Sequence, residues 1–190
     1  MEPFAVVVAD PPWKFNDRLS KRRGAESQYK SVMSLAELKA FELPPLADDC
    51  ALFMWRVAAM QEDAFALMRA WDFTFKGAEI VWVKLSAKKH RGQLVMGESE
   101  DPWLEPSRNM GMGRIVRHAH EVCLIGHRGK PKRLSAGVRS VFSASVGRHS
   151  EKPVEFFHLV ERLYAGPYVE LFSRRHRDGW TCYGNELNAA

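Results

Sequence analysis

This sequence predicts an α/β domain, a sheet of buried strands with helices packed on it, on three observations. Short apolar runs suited to strands buried on both faces recur at residues 5–9, 51–55, 79–84, 121–126 and 168–172. Segments with apolar residues at helical spacing stand between some of them, at 58–71 and 153–164. The first run, Ala5-Val6-Val7-Val8-Ala9, stops abruptly at Asp10-Pro11-Pro12-Trp13. Proline has no N–H to continue a ladder, so the strand ends there. In an open α/β sheet the carboxyl ends of the strands form the ligand crevice.

The chain of 190 residues, 46% of them hydrophobic, is long enough for one sizeable core, so residues 1–190 are expected to form a single domain. The formal net charge of +5, with a pI of about 9.2, favours an anionic partner. Cys50, Cys123 and Cys182 are scattered, odd in number and without metal-ligand spacing, which indicates neither a disulfide framework nor a metal site. Neither a signal peptide nor a long apolar span is seen, so no membrane partner and a cytoplasmic location are expected.

A carboxylate on a stiff di-proline turn suits a flat ligand with hydrogen-bond donors, and a nucleobase has that form. The exocyclic amine of a base is a poor nucleophile because its lone pair is delocalised into the ring. Acceptors that hold its protons favour the pyramidal, reactive nitrogen. Asp10 can accept one N–H and the Pro11 carbonyl the other, while Trp13 or a neighbouring aromatic stacks on the ring. An Asp-Pro pair alone would read as a turn or a helix cap; four such residues directly after a buried strand read as a site.

After this turn, residues 14–30 are polar and basic, a surface loop in which Lys21, Arg22 and Arg23 are candidates for phosphate contact and Tyr29 for stacking on a base. Ser34 and Glu37 have capping-box spacing, so a short helix begins there and ends before Pro44-Pro45. Residues 51–55 and 58–71 make a strand and a helix, and 79–84 (EIVWVK) a third strand. Residues 86–113 lose periodicity and carry Lys88, Lys89 and Arg91, a functional loop with candidates for a phosphate path, expected to be partly disordered without substrate. Residues 121–126 and 138–143 read as two more strands. A helix follows His149-Ser150-Glu151-Lys152-Pro153, with Pro153 in its first turn, and Gly166-Pro167 stops it before the strand at 168–172. Strands alternating with helices imply right-handed parallel crossovers.

Several enzyme classes are disfavoured. No GxGxxG follows a strand, no GxxxxGK[ST] or GxSxG is present, and His118, His120 and Glu121 lack the spacing of helical metal ligands.

The series DPPW, EIVWVK, HEVCLIG, HSEKP, VELFSRR and GW…YGNE, in that order over residues 4–186, resembles the DPPW-type adenine-N6 methyltransferases, the family of the eukaryotic messenger-RNA N6-methyladenine writer. The resemblance implies a Rossmann-like fold that uses S-adenosylmethionine, permuted so that the catalytic strand precedes the cofactor strand. It makes Asp10, Pro11, Pro12 and Trp13 the catalytic tetrad, with Asp10 also near the cofactor. Lys152 lies between cofactor and substrate; Glu170, Phe172, Arg174, His176, Asn185 and Glu186 are further cofactor residues; and Tyr29, Trp82 and Glu121 lie near the acceptor base. The expected partner is nucleic acid, DNA before RNA on the compactness of the chain and its basic loops, with a homodimer allowed. Family members usually carry a segment before the DPPW strand that packs on the cofactor adenine. This chain starts at Met1-Glu2-Pro3, so the pocket is expected to be more open or closed by other residues.

Overall fold

The computed structural model describes residues 2–14, 32–85, 115–116, 118–147 and 151–184. Their chain order is β1 (Phe4–Ala9), α1 (Leu35–Lys39), β2 (Leu46–Arg56), a 3-10 turn (Ala58–Met60), α2 (Gln61–Ala70), β3 (Thr74–Leu85), β4 (His120–Arg128), β5 (Val141–Ser145), α3 (Val154–Leu163), β6 (Tyr168–Leu171) and β7 (Trp180–Tyr183). All seven strands join one mixed sheet in the order β5-β3-β4-β2-β1-β6-β7. None of the described helices is long and apolar enough to cross a membrane.

The apolar run at the chain start is an interior strand. β1 lies between β2 and β6, parallel to both, with Val8 opposite Phe53 on one side and Glu170 on the other. Val6, Val7, Val8 and Ala9 are fully buried or nearly so, as a strand covered on both faces requires. Residues on alternate sides feed two cores. Val7, Ala9, Leu52 and Met54 pack with α1 and α2, whereas Val6, Val8, Phe53 and Trp55 pack with the Phe156, Phe157 and Val160 face of α3.

The expectation of regular strand–helix alternation is corrected in one half of the sheet. β4 is antiparallel to both β2 and β3, while β5 returns parallel to β3. An antiparallel neighbour needs no helical crossover, and no helix among the described residues joins β3 to β4 or β4 to β5. The strands at 51–55 and 79–84 are the buried ends of longer ones. Exposed Asp48 and Asp49 in β2, and the exposed first half of β3, carry no apolar signal. The strand expected at 138–143 lies at Val141–Ser145, on an edge where only Ala144 is buried. β7 is unanticipated: four residues at the opposite edge, paired parallel to β6.

The helix ends follow local chemistry. Ser34 Oγ accepts from the Glu37 N–H at 3.3 Å while Glu37 Oε2 accepts from the Ser34 N–H at 2.7 Å, the expected capping box. Pro153 is the N-cap of α3 rather than part of its first turn, with φ −67° and ψ 147°. The strand expected to run to residue 172 stops at Leu171, because Phe172 adopts a left-handed φ of 61° and reverses the chain.

Candidate active site

Strand periodicity decides which polar side chains meet. Val6 and Val8 face α3, so Asp10, two residues further, falls on that side at the carboxyl end of β1. On β4 the inward Cys123 puts Glu121 on the same face, and on β3 Trp82 does the same for Lys84. Lys152, just before α3, lies over this face. Its Nζ is 2.7 Å from Asp10 Oδ2, 3.1 Å from Glu121 Oε2, and 5.2 Å from the centre of the Trp55 ring. Lys84 Nζ completes the row, 2.5 Å from Glu121 Oε1 and 5.4 Å from the Trp82 ring centre. Two ammonium groups thus alternate with two carboxylates, supported by a pair of tryptophans in edge-to-face contact.

Electrostatics follow from this order. Burial works against the charged form of Lys152, but Asp10 and Glu121 more than compensate and raise its pKa. Burial would also raise Glu121; Lys152 and Lys84 instead lower it to about 2. At Asp10 the balance is reversed. Burial outweighs Lys152 and holds the carboxyl above its usual range. The Asp10 side chain retains 25% exposure, toward a cleft it shares with Lys152, Glu170, Phe172, Arg174 and Arg177.

The wall beyond Asp10 is the turn after β6. Phe172 reverses the chain and packs its ring 4.9 Å from Phe41. The Ser173 N–H then donates to the Tyr183 carbonyl at 2.8 Å, tying the turn to the end of β7. Gly184 crosses so close to Ser173 that any Cβ there would collide with the Ser173 carbonyl. Further along, the Arg177 guanidinium lies 3.3 Å over the centre of the Phe157 ring. Its Nε is 3.8 Å from Glu170 Oε2, too far for a hydrogen bond, and neither buried atom has a hydrogen-bond partner. Glu151 and Arg175 form an ion pair that also lines the cleft. Carboxylates, cations and two unmatched polar atoms suit a ligand carrying both charges and hydroxyl groups.

Asp10, Lys152, Glu170, Phe172 and Arg174 therefore come together, with Glu121 joined through Lys152. His176 is exposed and does not line the cleft. Pro11 is buried and its carbonyl already accepts from the Trp13 N–H at 2.9 Å, leaving one lone pair; Pro12 is half-buried, and its carbonyl accepts from Met33. The stacking expected of Trp13 is corrected: it is 4% exposed in the α1/α2 core, where its backbone bridges to Met33 after the di-proline turn. Trp82 is 2% exposed and donates its indole N–H to the Ala144 carbonyl at 3.0 Å, so it supports Lys84 from inside the core instead of facing the cleft. Tyr29, Lys21, Arg22, Arg23, Lys88, Lys89, Arg91, Asn185 and Glu186 lie outside the described residues.

Sequence reading missed Trp55, Lys84 and Arg177 as members of this site. Parity along β2 and β3 would have found the first two, had the pairing of those strands with β4 been known. Arg177 carried no local signal apart from its place in a basic run.

Comparison with known proteins bears on the whole chain. The MT-A70 family model matches residues 4–186. The N(6)-adenosine-methyltransferase MT-A70-like protein of Drosophila melanogaster is 30% identical over 189 residues, covering 97% of this chain and 27% of that protein. The human N(6)-adenosine-methyltransferase catalytic subunit METTL3 is 29% identical, covering 97% of this chain and 28% of its own length. The type II methyltransferase M.MunI of Mycoplasma sp is 26% identical over 204 residues, with 97% of this chain and 78% of that protein covered. The chain thus spans about a quarter of the first two relatives and most of the third.

Proposed function

The chain belongs to the MT-A70 family of adenine-N6 methyltransferases, and we propose that it transfers a methyl group to the N6 amine of adenine in DNA. MT-A70 methyltransferases use S-adenosylmethionine. The unmatched Glu170 Oε2 and Arg177 Nε, beside a cleft of mixed charge, fit a group with ribose hydroxyls and an amino-acid tail. Glu170, Phe172, Arg174 and Lys152 would hold it, with Asn185 and Glu186 as further ligands by family resemblance. When bound it supplies a methyl group made electrophilic by a sulfonium.

The observation that carries the reading is the Asp10–Lys152 contact at the end of β1. Lys152 donates to Asp10 Oδ2 and favours the carboxylate form against the effect of burial, leaving the second carboxyl oxygen to take one N–H of an amine. The remaining lone pair of the Pro11 carbonyl takes the other. Together they orient the nitrogen lone pair, and Asp10 is the acceptor for the proton the amine loses. We read residues 1–190 as one methyltransferase domain with the permuted order: β1 carries Asp10 early in the chain, and β6 carries Glu170 late.

DNA is favoured by the extent of the match to M.MunI, most of whose length the chain covers, and by the net charge of +5. The slightly higher identity to two N(6)-adenosine-methyltransferases favours RNA as the second reading. Transfer from labelled S-adenosylmethionine to matched duplex DNA, single-stranded DNA and RNA, followed by digestion to nucleosides, separates them. N6-methyladenine in DNA alone is expected. Label in RNA alone moves the assignment to RNA, and cofactor binding without transfer to any polymer overturns it.

A further inference from the structure

The row of charges in the site extends two residues, Glu121 and Lys84, beyond the groups that reach the cleft. Lys84 does not line the cleft. Its ammonium sits on the far side of Glu121, bound to Oε1, while Lys152 binds Oε2 of the same carboxylate. Lys152 is therefore shared between two anions, and what satisfies Glu121 decides how much of Lys152 is left for Asp10. We infer that Lys84 is a positioning residue for Asp10: by binding Glu121 it leaves the Lys152 ammonium turned to the Asp10 carboxylate.

Register supports this role. Trp82 is directly opposite Glu121 in the β3–β4 pair, so Lys84 is the diagonal neighbour on the same face. The backbone N–H of Lys84 donates to the Ala119 carbonyl at 2.9 Å, fixing the lysine stem beside β4. The ammonium also rests on the Trp82 ring, whose indole N–H is tied to β5. Lys84 is held by its backbone, an indole face and a carboxylate, so its placement is set by the sheet itself. With it, the four groups sum to zero charge. Without it, two carboxylates compete for one largely buried ammonium.

Asp10 is faced by Lys152 before α3, Glu121 and the Cys123 thiol on β4, Glu170 on β6, and Arg174 after β6. Burial already lifts the Asp10 carboxyl above its usual range, so this acid has the least margin in the row. Withdrawing Lys84 draws Lys152 toward Glu121 and makes Asp10 easier to protonate. The raised acid then titrates nearer neutral pH and is lost as an acceptor there.

The inference deepens the proposed function but is tested apart from it. Carbon-13 carboxyl NMR on aspartate-labelled protein, with the Asp10 signal assigned by Asp10→Asn, reads the protonation midpoint directly. Lys84→Met should move it upward by about one pH unit, and Lys84→Arg should leave it within a few tenths of wild type. In a Glu121→Gln background the Lys84→Met shift should largely vanish, because its intermediary is gone. If methyl transfer is observed, the acid limb of kcat should move in the same direction with KM for the cofactor little changed. Should Lys84→Met fail to fold, Lys84→Gln carries the same expectation. An unmoved Asp10 midpoint in a folded Lys84 variant overturns the inference, whatever the methylation assay gives. An equal shift with and without Glu121 also overturns it. Absence of transfer by the wild type counts against the proposed function alone.

Discussion

Lys152 Nζ lies 2.7 Å from Asp10 Oδ2 although 142 positions separate the two residues in the chain. One follows β1 and the other precedes α3. Their meeting is what turns two separate motifs into one site, and each group favours the charged form of the other.

The first prediction concerns the acceptor. Asp10→Asn keeps the size of the side chain but replaces one oxygen with an N–H donor, which cannot accept from an amine. Methyl transfer should fall by about 10²–10³-fold. Circular dichroism should show a retained fold, since Lys152 keeps Glu121 as partner. Activity within a factor of two of wild type would remove Asp10 from the chemistry.

Removing the cation has a larger structural effect. Lys152→Met leaves Asp10 and Glu121 facing each other without it, in a site where the lysine side chain is 8% exposed. Breaking a buried network in this way costs about 3–5 kcal/mol. Urea denaturation at neutral pH should show that loss, and the deficit should shrink on acidification as the two carboxylates protonate.

A pH dependence follows from Glu121. Its folded pKa is depressed, to about 2 from 4.5, so its contribution is fully present above the unfolded value and is lost as pH falls through the folded one. The window is therefore about pH 5 to 2, and the full contribution is about 3 kcal/mol. The stability difference between wild type and Glu121→Gln should narrow steadily across that window. A difference that stays constant from pH 7 to 3 would contradict the lowered value.

The turn after β6 supplies a fourth test. Gly184→Ala puts a methyl group against the Ser173 carbonyl, so the turn carrying Arg174 must shift. A loss of about 1–3 kcal/mol in stability is expected. Calorimetry should show weaker cofactor binding at the same time, because Phe172 and Arg174 lie in the displaced segment.

How far the site could be read in advance varies from residue to residue. Asp10-Pro11-Pro12-Trp13 stood out because an apolar run and a proline stop are local features of the chain. The Ser34 cap was equally plain, since both of its partners lie within one helical turn. Trp82 looked like a residue for the acceptor base and is a core support, because whether an indole in a strand faces a cleft or the interior depends on the neighbouring strand. β7 passed unnoticed because four residues at a sheet edge have too few apolar positions to show a period.

Sequence alone determined the buried strand and its acidic end, the two long helices, and the motif order that identifies the family. These rest on short-range patterning and backbone chemistry, which any contiguous stretch carries with it. Only the tertiary structure decided that β4 runs antiparallel, that Trp13 turns into the core, and that Lys84, Glu121, Lys152 and Asp10 form one alternating row. Those outcomes depend on which strands pair and in what register. Pairing is set by burying both faces of the sheet at once, a condition on the whole chain that no segment expresses by itself.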